Sequence, residues 1–522
     1  MKNAVLHTLL AVLVSAVIAG AATLHVPAAG DPPSNGRSLQ AALDAAVPGD
    51  TIVLQAGGTF AGGFELPIKS CLALNPEEEC WITIRTSAMD ELPAPGTRIH
   101  PSHSAALPRL ISDSGPVLRT QPGAHHYRII GMEILPARGR YLTNLVLLGT
   151  GVERAVEDLP YRIVLDRCYL HGDPVHGTRR GIAMNSRDTD VINSYIEDIK
   201  DAENDSQAIA AWNTPGPLRI LNNHLEAAGE NVMFGGADPA IPDLVPSYIW
   251  IKGNHFYKPL AWKESGQWRV KNLLELKNAR RLLIEANVFE NNWAAAQSGF
   301  AILLTPRNQD GSSPWSVVED VWFRYNLLRG VASGINLLGS DDIYTSRQTR
   351  NILIEHNLFE DVGTRWGGRG IIFQLLNGTE TVVIRHNTAP DAARAIFAEG
   401  RPNVGFVYED NLTLGGIGGT GTAAGDDTLA TYFPDARFRQ NVLIGGAARQ
   451  YTGTSCDRID CFPSSLEAVG FQDLGARPGN WRLLSSSPYK GQATTPGAGG
   501  PERTDVGADV DSVYAVTAGV VN

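Results

Sequence analysis

Hydrophobic and polar positions along this chain repeat one short phrase: an apolar residue, two variable residues, an asparagine, one more residue and a second apolar residue. It reads Ile220-Leu221-Asn222-Asn223-His224-Leu225, then Ile251…Asn254…Phe256 and Ile284…Asn287…Phe289. It returns as Phe323…Asn326…Leu328 and Ile354…Asn357…Phe359, with fainter copies ending at Asn387, Asn411 and Asn441. Earlier copies carry Cys168 and Ser194 in the asparagine position. Successive copies lie 24 to 39 residues apart, a period that marks a repeat architecture whose units bury their apolar faces against one another. Physically, the phrase predicts a short strand, a tight corner and a second short strand. The corner asparagine can hydrogen-bond backbone groups that the bend leaves unpaired. Stacked coil on coil, these side chains form a ladder.

A further apolar run follows each phrase across a variable loop. These runs cover residues 181–185, 207–212, 231–235, 272–277, 300–305, 335–338 and 371–375, so each coil is expected to hold three strands. Upstream, Leu24-His25-Val26 reads as a first strand. Ser38 then precedes a helix over 39–46 whose Leu39, Ala42, Leu43 and Ala46 share a face. Such a helix is a natural lid for the open end of a solenoid. Residues 80–160 read as early coils with long loops. Beyond 415 the chain becomes rich in Gly and Thr, and the ladder fades after Asn441. The expected division is 1–22 export signal, 23–445 solenoid, and 446–522 irregular C-terminal cap and tail.

Composition narrows the class. Of 522 residues, 43% are hydrophobic and 19% charged, which excludes disorder as the main state. The 54 glycines suit a fold with frequent bends. A net charge of −11 argues against a nucleic-acid binder but leaves room for a local basic patch facing a polyanion. Lys2, the apolar stretch from Leu9 to Ile18 and Ala19-Gly20-Ala21 have the form of a secretory signal. The expectation is a secreted protein, extracellular or periplasmic, with no membrane span after cleavage and a monomeric state. Cys71 with Cys80, and Cys456 with Cys461, are close enough for two small disulfide loops, and Cys168 is expected to be a buried thiol.

The repeating corner asparagine, with a third strand beyond a variable loop, resembles the right-handed parallel β-helix of pectate-lyase-like proteins over about residues 24–445. That resemblance implies an all-β solenoid with a substrate groove on the outer face of the third strand. It also implies carbohydrate chemistry, since the group includes polysaccharide lyases, glycoside hydrolases, epimerases and non-catalytic surface proteins.

Alternation along Leu273-Leu274-Glu275-Leu276-Lys277 sends Leu274 and Leu276 inward, with Glu275 and Lys277 outward side by side. Met233 and Gly235 are expected on that face one coil earlier, and Leu303 and Thr305 one coil later with Arg307 just beyond. Asn231 and Asn272 read as matching strand starts, preceded by Glu230 and Lys271. Between 250 and 285, eight Lys and Arg residues, Lys263 and Lys271 among them, face Glu264, Glu275 and Glu285, interleaved with Trp250, Trp262 and Trp268. Cations and flat rings along a groove suit an acidic sugar chain. β-Elimination on such a chain needs a group that neutralises the substrate carboxylate, a base and an acid. Lys and Arg can supply these.

Lys277, followed ten residues later by Asn287, resembles the base of the alginate and chondroitin-B lyase branch, and Arg307 resembles its basic partner on the next coil. The resemblance implies Lys277 and Arg307 as catalytic residues. Lys271, Glu275, Glu230, Lys263, Trp262 and Trp268 are the candidate substrate contacts. Calcium can also neutralise a carboxylate, but Asn272 stands where that branch carries an acidic metal ligand. Two alternatives remain open. One is a glycoside hydrolase using carboxylates such as Glu226, Glu230, Asp238 and Asp243, without the polygalacturonase Asn-Thr-Asp or Gly-His-Gly patterns. The other is a non-catalytic glycan-binding solenoid.

Overall fold

The corner asparagines do form a ladder. In a computed structural model that describes residues 21–71, 77–452, 459–475, 479–494 and 504–521, the Asn254 backbone N–H and Nδ2 both donate to Asn287 Oδ1, at 2.9 and 3.0 Å. Asn254 Nδ2 also donates to Ile220 O at 2.8 Å. The same set recurs from Asn223 through Asn326, Asn357 and Asn387 to Asn411 and Asn441. Ser194 and Cys168 extend it, the Cys168 N–H donating to Ser194 Oγ and the Ser194 N–H to Asn223 Oδ1. Cys168 is a buried free thiol, and its burial pushes it up to about 12. The residue before each ladder position is left-handed, with φ of 55° at Asn222, 58° at Ala286 and 53° at Tyr325. A non-glycine residue adopts that conformation at a cost, which the buried ladder bonds offset.

Three long parallel sheets result. The strands before the corner form a 14-stranded sheet, those after it a 13-stranded sheet, and those beyond the loop a 12-stranded sheet, here called the pre-corner, post-corner and groove sheets. One core of Leu, Ile, Val and Phe runs the length of the coils, from Val26 to Tyr451. The fold is a right-handed parallel β-helix.

The N-terminal lid is longer than its sequence signal. The helix spans Pro32–Ala45, capped by Asp31, whose carboxylate accepts the Ser34 N–H at 2.8 Å. Pro32 and Pro33 occupy the first turn, where no N–H is needed, and Ser38 lies inside the helix. Gly36 sits against the strand Thr59–Ala61 so closely that a Cβ there would lie 2.0 Å from Ala61 O.

The far end differs from expectation too. The helix Asp426–Tyr432, with Phe433 and Tyr451, closes the core. The segment expected to be an irregular tail contains an antiparallel pair, Phe471–Asp473 with Asn480–Leu483, and a helix Val510–Thr517. Val469, Phe471, Trp481, Val506 and Val513 pack on Val288, Leu327, Leu358 and Leu412 of the post-corner sheet. Asp505, Asp509 and Asp511 pair with Lys490, cap that helix and pair with Arg482, respectively. Cys71 and Cys80 are bonded, whereas Cys456 lies outside the described residues, as do residues 1–20 of the expected signal. Among the described residues no helix is long and apolar enough to cross a membrane.

Candidate functional site

Register on the groove sheet decides what faces outward. Glu65, Arg119, Leu147, Ala183, Ala210, Met233, Glu275, Leu303, Asn336, Gln374 and Phe397 pair in one unbroken row. A second row runs Asn144, Arg180, Gln207, Glu230, Asn272. The charged centre of the groove is therefore where Glu230, Asn272 and Glu275 meet. Glu230, not Asn231, pairs with Asn272. Asn231 instead turns inward, its Nδ2 donating to Leu225 O and Tyr257 O. The one-residue difference arises because two successive positions, Asn231 and Val232, face the core before alternation resumes.

Lys271 holds this centre together. Its ammonium lies 3.0 Å from Glu230 Oε1 and 2.5 Å from Asp205 Oδ2. Gln207 Nε2 donates to the other Glu230 oxygen at 2.7 Å, and Arg180 Nε donates to Gln207 Oε1 at 3.0 Å. Burial and the Glu275 carboxylate push Glu230 up to about 7, against the pull of Lys271. Burial opposes the Lys271 charge, but Glu230 and Asp205 outweigh it and hold the amine above its ordinary range. Asp205 also carries Arg269. Asp205 lies in a loop with Asp201 and Glu203. Its role became visible only when the loop folded over Lys271.

Glu275 is buried and accepts Asn272 Nδ2 at 3.2 Å. Lys277 follows one residue past the strand Asn272–Leu276. Its ammonium lies 3.6 Å from Glu275 Oε1, and its side chain keeps 17% exposure. Gly235, one coil earlier, makes room for it, since a Cβ there would lie 2.8 Å from Lys277 Cβ. The Arg307 N–H donates to Lys277 O at 2.8 Å, so the two candidates are neighbours across coils. The Arg307 guanidinium is occupied, 2.5 Å from Asp341 and 2.7 Å from Asp342.

The aromatic candidates lie elsewhere. Trp262 is buried with Val270, Trp293 and Trp366, and Trp268 packs beside them. Trp262 and Trp268 flank the Lys200 ammonium at 5.6 and 5.0 Å. Neither Trp262 nor the Lys263 beside it joins the groove centre. Lys263 instead donates to Arg365 O and lies over the Trp366 ring. Among the described residues no group of His, Cys, Asp and Glu is arranged to hold a metal ion. Asp201 closes its own loop by accepting the Glu203 and Asn204 N–H groups and the Tyr141 hydroxyl.

The sequence matches no protein-family model and no curated protein. In structure the chain is similar to a PL6-family alginate lyase, AlyGC, with a TM-score of 0.54 and 15% identity, over 89% of this chain and 57% of that one. It is also similar to the catalytic unit of a thermostable GH87 α-1,3-glucanase from Streptomyces thermodiastaticus, with a TM-score of 0.51 and 11% identity, over 84% of this chain and 69% of that one. The chain thus spans little more than half the length of the alginate lyase it matches. At these identities the likeness is one of fold. The chain has the right-handed parallel β-helix fold of pectate-lyase-like proteins.

Proposed function

We propose that this chain is a secreted carbohydrate-active protein, and specifically a polysaccharide lyase that cleaves an acidic, uronic-acid glycan by β-elimination in the groove. Lys277, acting as the neutral amine, takes the proton next to the substrate carboxylate. The electron pair forms the new C=C bond, and the glycosidic oxygen on the next carbon leaves with its bond electrons and takes a proton from water. Arg307 meets the substrate carboxylate by exchanging Asp342, its 58% exposed partner, for it.

One observation carries this reading. Of Lys271, Lys277 and Arg307, Lys277 is held by a single, loose ion pair and meets solvent, while Lys271 and Arg307 each hold two carboxylates. The fold neighbours, an alginate lyase and a glucanase, support a glycan as substrate. A hydrolase needs two carboxylates facing the sugar, and Glu230 and Glu275 are 0% and 2% exposed, which favours elimination.

The test is incubation with pectate, alginate and glycosaminoglycans, with and without a chelator, following the ultraviolet absorbance of the unsaturated product. A rise that Lys277→Ala lowers by about 10²-fold or more supports the lyase. New reducing ends without absorbance mean hydrolysis. Binding without any product means a non-catalytic solenoid.

A further inference from the structure

The pre-corner sheet carries a second exposed feature, away from the groove. On its outer face Arg219, Trp250, Leu283, Trp322 and Leu353 stand in register on successive coils. Trp250 and Trp322 are 39% and 53% exposed, and Tyr248 beside them is 49% exposed. Large aromatic rings left in water as a group mark a contact surface. They line a shallow depression of about 440 Å³ with Arg281, Leu283 and Asp320.

The spacing is informative. Neighbouring strands lie about 4.8 Å apart, so Trp250 and Trp322, two coils apart, are separated by roughly 9.6 Å, about two sugar residues of an extended chain. Leu283 sits between them and is half-buried. Rings spaced along an axis suit a periodic ligand that stacks on flat faces; a protein partner would more naturally meet them as one packed cluster.

Charge points the same way. The neighbouring Arg219 and Arg324 are paired with Asp190 and Glu285. Arg281 lies 4.9 Å over the Tyr248 ring and donates to its hydroxyl at 2.6 Å. Among the described residues its partners are this ring and hydroxyl, with no carboxylate in ion-pair range. Asp320, the carboxylate in the depression, accepts Asn351 Nδ2. A guanidinium is thus left for an anion beside two stacking platforms.

We propose that this face is a second glycan-binding surface, for a chain of acidic sugars lying along the solenoid axis. Trp250 and Trp322 stack on sugar rings, and Arg281 contacts a carboxylate. The surface lies on a different sheet from Lys277 and works whether or not the groove is catalytic.

Affinity electrophoresis in gels containing alginate, pectate or a neutral β-glucan tests it. Every protein carries Lys277→Ala, so that the groove does not consume the probe. The parent is retarded by the acidic glycans. Adding Trp250→Ala and Trp322→Ala weakens binding by about tenfold or more, and Arg281→Gln weakens it for the acidic glycans alone. Because these side chains are exposed, the melting temperature stays unchanged, which separates lost binding from lost folding. The proposal is overturned if no gel retards the parent, if the variants are retarded equally, or if only the neutral glucan binds. It is also overturned if sedimentation shows the parent to be a dimer that Trp322→Ala dissolves.

Discussion

The Lys277 ammonium stands 3.6 Å from the Glu275 carboxylate, with the lysine side chain 17% exposed and the glutamate side chain 3%. Glu275 therefore aims Lys277 while staying out of reach of a bulky sugar. In the proposed reaction the two residues separate by kinetics. Lys277→Ala removes the base and lowers kcat/KM by about 10²-fold or more. Glu275→Gln keeps an acceptor for Asn272 and only loosens the position of the amine. That variant is expected to lose about tenfold, mostly in kcat. Steady-state kinetics on the glycan that gives product checks the pair, and equal losses would remove the positioning role.

Arg307 is the second case. The Asp341 side chain is fully buried and that of Arg307 is 24% exposed. Removing the arginine alone leaves a buried carboxylate that accepts the Asn308 and Ile343 N–H groups but has lost its cation. Arg307→Ala is expected to destabilise the protein by about 2–4 kcal/mol. Asp341→Asn in the same chain recovers part of that loss, so a double-mutant cycle by denaturant unfolding shows coupling.

The ladder can be tested in its middle. Asn326 donates to Ile284 O and Asn357 Oδ1, and its own Oδ1 accepts both the N–H and the Nδ2 of Asn287. Asn326→Leu leaves several of these groups unpaired in a dry corner, at about 1–3 kcal/mol each. Hydrogen exchange is expected to lose protection first in the coils around residues 284–289 and 323–328, because a solenoid transmits stability through nearest neighbours.

Stability is expected to fall as pH drops below about 6 and as it rises from about 6 to 7, above which the Lys258 amine, pushed down to about 7 by burial, offsets part of the loss. Burial pushes Glu226 up to about 8 and Glu360 up to about 7, from an ordinary 4.5. The folded chain holds these protons more tightly than the unfolded chain, so the stability they lend is lost as pH rises from 4.5 to 8. Burial and His386 push His356 down to about 3 from 6.5, and burial and His255 push His224 well below its ordinary value. The unfolded chain takes these protons first, so stability is also lost as pH falls below 6.5. Glu226→Gln still accepts the Asp198 N–H and removes part of the alkaline loss. It is expected to gain about 2–4 kcal/mol over the parent at pH 8 relative to pH 5, as read from melting curves across that range.

Much of the architecture was legible before any fold was known. The phrase around Asn223, Asn254 and Asn287 is local, its spacing is regular, and its chemistry is that of a bend, so three strands per coil followed directly. Within the groove strand, alternation put Glu275 and Lys277 side by side on the outer face, and they are. Two successive inward residues shifted the start of a neighbouring strand by one, a distortion that strict alternation does not carry. The lid helix began earlier than Ser38 because Asp31 and two prolines make the better start.

Partners across coils were not legible. Asp205 reaches Lys271 from 66 residues away and Asp341 reaches Arg307 from 34, each at the end of a loop whose path no period describes. Trp262 read as an exposed plate because it lies among cations, yet its loop folds it against Trp293 and Trp366. Trp322 passed unnoticed, although it lies on the outer face of a strand. Sequence alone determined the repeat, the corner chemistry and the direction of strand residues wherever alternation is regular, because these depend on neighbours within one coil. The tertiary structure alone decided which charges are already paired and which rings meet water. Those properties belong to loops and stacked coils that come together only when the solenoid closes.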